Sequence, residues 1–121
     1  MTSRLLTQLA SRIAAARDPV EAACLRAQRG IYLARQGKTQ EAESLVKALR
    51  EEFGARPNAE VTVWISLVEA LAQFFTQPGP KALDRLRRAH ALSRAMNHPL
   101  LVPLCAAWLA HVEFNSNHMQ P

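Results

Sequence analysis

Side chains capable of chemistry are sparse in this chain, and their spacing suits neither a metal nor a nucleophile. The histidines are His90, His98, His111 and His118, and no two stand at the i, i+4 spacing that puts two ligands on one helical face. His111 and His118, seven apart, share a face, but no thiol or carboxylate joins them there as a third ligand. Cys24 and Cys105 lie far apart in no metal or redox spacing, so both are expected as reduced, buried thiols. Gly30, Gly37, Gly54 and Gly79 build no phosphate-cradling loop, and no serine occupies a nucleophile elbow. The expectation is a non-enzyme without cofactor or metal.

Charge offers one cluster. From Lys81 to Arg94 the chain reads KALDRLRRAHALSR, with Asp84 its only acid. Wound as a helix, Lys81, Arg85 and Arg88 flank one side of the apolar stripe, and Arg87 and Arg94 the other. Such a patch suits an acidic peptide or an acidic subunit surface. Nucleic acid is the weaker fit, because no aromatic residues interleave with the basic ones. A solvated helix face is the plainer reading of the cluster and comes ahead of these partners. The formal net charge of +5 permits anionic partners without requiring them.

The elements that must position these residues come as a repeat. Gly30, Ala70 and Ala110 recur at intervals of 40, and their surroundings align in columns. Cys24, Trp64 and Leu104 form one column, and Ala27, Leu67 and Ala107 a second. Ile31, Leu71 and His111 form a third, and Ala34, Phe74 and Phe114 a fourth. A period of this size is the mark of a solenoid, in which each unit covers the apolar flank of the next.

Two helix types alternate. The first is seen best in Thr39–Phe53, where Ala42, Leu45, Val46, Leu49 and Phe53 lie on one stripe. The second starts at Asp18-Pro19-Val20-Glu21, with Asp as cap and Pro at the first helical position, and stops at Gly37. Its next copy is apolar nearly all round, with no Lys or Arg between Arg56 and Lys81, and is placed at the centre of the stack. Helices are expected over residues 3–16, 18–36, 39–53, 58–76, 80–96 and 99–116 of a single domain, 1–121. The expected fold is all-α, a right-handed superhelix of about six antiparallel helices.

No uninterrupted apolar run reaches the roughly 18 residues of a membrane span. The acid-free start, with Arg4, Arg12 and Arg17, superficially resembles a transit peptide, yet it fits the period as a structural helix. A cytoplasmic protein without a membrane partner is expected. Thr2 aligns with Ala42 and Pro121 with Glu41, so the last helix lacks the neighbour every earlier one has. Trp108, Val112 and Phe114 are then expected at an exposed end, met by further repeats of a parent chain or by another subunit as a homo-oligomer.

The segment Gly30-Ile31-Tyr32-Leu33-Ala34-Arg35-Gln36-Gly37-Lys38-Thr39-Gln40-Glu41-Ala42 resembles the core of a tetratricopeptide repeat. Glycines seven apart and an alanine five further on match that family's small positions, and Ala82 and Ala89 repeat part of the pattern. Arg26 and Arg29 replace the family's aromatic and leucine positions. The 40-residue unit is more similar to the helical sensor region of large bacterial regulators of the maltose-activator and LuxR ATPase type. That resemblance implies a transcription regulator's module that binds a protein or peptide partner. Its expected anchors are Trp64, Leu67, Leu71 and Phe74, with Arg26, Arg29 and Arg35 at the rim. A self-associating structural protein or a small chaperone-like adaptor is the alternative.

Overall fold

The structure is a computed structural model that describes residues 2–77 and 79–119, with side chains over 4–77 and 79–115. It is all-helical: α1 Thr2–Ala15, α2 Pro19–Arg35, α3 Thr39–Phe53, α4 Ala59–Thr76, α5 Pro80–Ala95 and α6 Leu101–Met119. Among the described residues there is no strand.

Local chemistry sets the boundaries. Asp18 caps α2 by accepting from the Val20 N–H at 3.0 Å, and Asn58 caps α4 by accepting from the Val61 N–H at 3.1 Å. After α2, Gly37 takes φ +80°. The Lys38 N–H then donates to the Leu33 carbonyl and the Gly37 N–H to the Ala34 carbonyl. This is the paired C-terminal bonding that a left-handed residue permits. Asn97, at φ 54°, does the same after α5, with His98 N–H bonding Ser93 O and Asn97 N–H bonding Arg94 O.

The last helix begins two residues later than expected, at Leu101 rather than Pro99. The reason is His98, whose Nδ1 accepts from the Leu100 and Leu101 N–H groups at 3.2 and 3.1 Å. With Nδ1 an acceptor, Nε2 carries the proton and donates to Glu60 Oε1 at 3.1 Å. One imidazole thus caps α6 and ties that cap to α4.

Each helix packs on its chain neighbour, and α4 also packs on α2 and α6. The central helix is therefore surrounded by α2, α3, α5 and α6, while α1 touches only α2. Among the described residues α1 and α6 do not meet, so the array is open rather than a closed ring. Leu49, Leu67, Leu71, Leu86, Leu101, Val61, Val63, Val68 and Val112 are fully buried in it. Each stabilises the fold by about 1.5–3 kcal/mol relative to an exposed position. α4 is the one described helix long and apolar enough to cross a membrane, and here its apolar surface is spent on the core.

Gly30 shows why α2 can lie so near its neighbours. A methyl group there would come within 2.9 Å of Leu45 Cδ2 and 3.1 Å of Val68 Cγ1. Three helices meet at this hydrogen atom.

The repeat columns explain which residues are covered. Ala27, Ile31 and Ala34 are buried, as are Leu67, Leu71 and Phe74. In the third copy the equivalent Ala107, His111 and Phe114 are exposed. Instead α6 buries Leu101, Cys105 and Val112, the equivalents of Val61, Ile65 and Ala72, which face backwards. Val112 is therefore not part of an exposed end: it is 0% exposed, whereas Phe114 is 59% exposed.

Candidate binding cleft between α3 and α5

Both α3 and α5 pack on α4, but among the described residues they do not touch each other. The gap is a cleft of about 650 Å³ floored by α4. Its position follows from the wheel of α4. Ser66, Glu69, Gln73 and Thr76 form a polar strip at helical spacing on a helix whose other faces are apolar. A polar strip cannot be sealed beneath a neighbour without unpaired groups, so the flanking helices part over it.

Buried Ala42 and Val46 from α3 and Ala72 from α4 add a small apolar patch beside the polar strip of the floor. Glu43, Lys47, Arg50 and Glu51 stand along the α3 wall. On the α5 side the cleft continues past Arg85 to Lys81, Asp84 and Arg88. One carboxylate spans it. Glu69 Oε1 accepts from the Arg50 guanidinium on α3 and lies 3.4 Å from Arg85 Nη1 on α5. At the far end Thr39 Oγ1 and Thr76 Oγ1 lie 3.3 Å apart.

The basic helix is divided by the fold. Lys81, Arg85 and Arg88 face the cleft. Arg87 turns to the other side, 3.8 Å from Asp84 and 3.7 Å from Glu113 of α6. Arg94 is exposed in the last turn. Glu69 and Glu113 are offsetting acids from other helices that a reading of this segment alone does not supply.

The expected apolar anchors are not at the surface. Trp64, Leu67, Leu71 and Phe74 are 3%, 0%, 0% and 7% exposed. They lie in the hydrophobic core, so a charged residue there would break the fold rather than a docking surface. Nor do the three arginines share one rim. Arg26 bonds Glu52 of α3 at 2.6 Å, and Arg29 lines a separate shallow cleft with Gln40 and Ser44. Arg35 sits 5.9 Å over the Trp108 ring. Phe75, adjacent to buried Phe74, is 40% exposed and stacks edge-on against Trp108 at 6.3 Å. The groove-lining residues that sequence reasoning missed, Glu43, Lys47, Arg50, Glu69 and Gln73, lay in the break of the apolar pattern of α4 and on the polar side of α3.

Cys24 lies near Glu60, at the other face of α4. Burial, then the neighbouring Glu60 carboxylate, push its thiol up to about 12. Burial also raises the Cys105 thiol, partly countered by a hydrogen bond with Ser93. Both are held as neutral thiols, the wrong form for a nucleophile or a metal ligand. Among the described residues no three His, Cys, Asp or Glu side chains gather as a metal site.

No family model, no curated protein and no solved structure matches this chain.

Proposed function

We propose that this chain is a tetratricopeptide-type helical-repeat module that binds a helical segment of a protein partner in the α3–α5 cleft. The observation that carries the reading is the parting of α3 and α5 over α4. Superhelical stacking of the three hairpins, and a place within a larger regulator, belong to the same proposal and rest on the period of the repeat.

A photo-crosslinking residue at Gln73, compared with one at Arg56 outside the cleft, tests it. A discrete adduct from position 73 alone is the expected result. Equal labelling from both positions, or none from 73, overturns it.

A second reading is favoured by α6. Pro103, Ala107, Ala110 and Phe114, spaced four, three and four, form an exposed stripe without a charge. Laid antiparallel on the same stripe of a second copy, Phe114 meets Pro103 and Ala107 meets Ala110, large against small. Self-association by this face predicts a dimer in light scattering at micromolar concentration that Ala110→Glu dissolves. A monomer throughout removes it.

A further inference from the structure

We infer that the partner is an acidic amphipathic helix whose carboxylates face α5, and that Glu69 holds their place in the free protein. The inference rests on the α3–α5 cleft being the binding surface.

The shape of the cleft selects a helix. It follows α4 from Ser66 to Gln77, a length of about 16 Å at the helical rise of 1.5 Å per residue. Both walls are helices, whose backbone groups are already bonded along their own axes. An extended peptide would find no ladder of free N–H and C=O groups here, whereas a helix satisfies its own backbone. The floor residues Ala42, Val46 and Ala72 are small or short, so the guest must bring the larger apolar side chains.

Charge selects the sign. The α3 wall is balanced, Lys47 and Arg50 against Glu43 and Glu51, whereas α5 sets Lys81, Arg85 and Arg88 against Asp84, with Glu69 rising between the two walls. Asp84 is also drawn to Arg87, 3.8 Å away and outside the cleft. The first turn of α5 contains no acid, and Gly79 supplies no side-chain cap. The positive end of that helix dipole therefore adds to the field instead of being cancelled. The guanidiniums of Arg50 and Arg85 converge from opposite walls on the Glu69 carboxylate. Glu69 is only 24% exposed and reaches up from the floor. A guest Asp or Glu laid over the floor finds the same two donors from above. It competes with Glu69 for them and gains Arg88 and Lys81 as second partners.

The test is a display library of three-turn helical peptides with a fixed leucine stripe. Its flanking positions are randomised equally among acidic, neutral and basic residues, and it is selected against the intact chain. Acidic flanks should dominate the recovered peptides. Binding of one recovered peptide, read by fluorescence anisotropy, should tighten about threefold to tenfold with Glu69→Gln, because a competing carboxylate is gone. It should weaken at least about tenfold with Arg85→Glu and fall as salt rises. Gln73→Trp, or Lys47→Trp should the first disturb the fold, should abolish it by filling the cleft.

Neutral or basic flanks among peptides that Gln73→Trp still blocks would overturn the charge inference and leave the cleft reading standing. Peptides indifferent to both tryptophan variants would overturn the cleft reading itself. Recovery of no peptide at all would end both. Unchanged or weaker binding with Glu69→Gln would remove the placeholder role.

Discussion

The two sides of α4 are built on opposite rules. Toward α2 it presents Val68, fully buried, against a helix that keeps Gly30 at the point of closest approach. Toward the gap between α3 and α5 it presents Ser66, Glu69, Gln73 and Thr76, none of them fully buried. One side excludes water through shape, and the other keeps water because its groups need partners. The same helix is thus a core element along one seam and the polar floor of an open cleft along the other.

Substitutions should expose that contrast. The largest effect belongs to the apolar seam. Leu71→Ala removes a 0% exposed side chain, and an unfolding free-energy loss of about 3 kcal/mol is expected. Calorimetry should read this as a fall in Tm of roughly 10 °C. A loss below about 1 kcal/mol would mean that the units do not lean on each other there.

Gly30→Ala comes next. A helix interior gains about 1 kcal/mol from alanine, but the new methyl would stand 3.1 Å from the stiff Val68 and 2.9 Å from the movable end of Leu45. Overpacking of this kind costs about 1–3 kcal/mol, so net destabilisation of about 1 kcal/mol is expected in urea titration. Stabilisation would show that the seam is looser than its geometry implies.

The thiol beside Glu60 predicts a pH effect of defined sign. The Cys24 pKa rises from 9.0 in the unfolded chain to about 12 in the folded one, so the folded state holds its proton more tightly. Below pH 9 both states are protonated and nothing changes. Between about pH 9 and pH 12 the unfolded state ionises first, and stability falls as pH rises. Cys24→Ala should flatten that alkaline limb of a stability profile, and an unaltered limb would contradict the assignment.

Smallest of all should be the cleft. Alanine at Glu43, Lys47 or Gln73 should move stability by no more than about 0.5 kcal/mol, the range of exposed positions. A loss above about 1.5 kcal/mol from any of them would make the cleft a structural feature and erase the contrast.

Much of this was legible before any coordinates. The Asp18-Pro19 start, the Gly37 stop and the 40-residue columns place five of the six helices within one residue of their observed limits. They do so because caps and apolar periodicity act locally. The sixth was missed at its start because the cap is a histidine side chain, and nothing in His98-Pro99 announces that its ring will turn back onto two N–H groups. The columns also picked out a shared apolar surface, with Ala27, Ile31, Leu67 and Leu71 among its residues. They could not show whether that surface is a core or a groove, and so Trp64, Leu67, Leu71 and Phe74 were read as anchors.

Periodicity and capping, properties of neighbours along the chain, decided that this protein is all-helical with a nearly all-apolar helix at its centre. Which helices part and which close was decided only when α2, α3, α5 and α6 competed for the surface of α4. The seam to α2 closed because Gly30 lets two apolar faces meet. The gap between α3 and α5 stayed open because Glu69 and its polar neighbours could not be buried without partners, and distant arginines came to supply them.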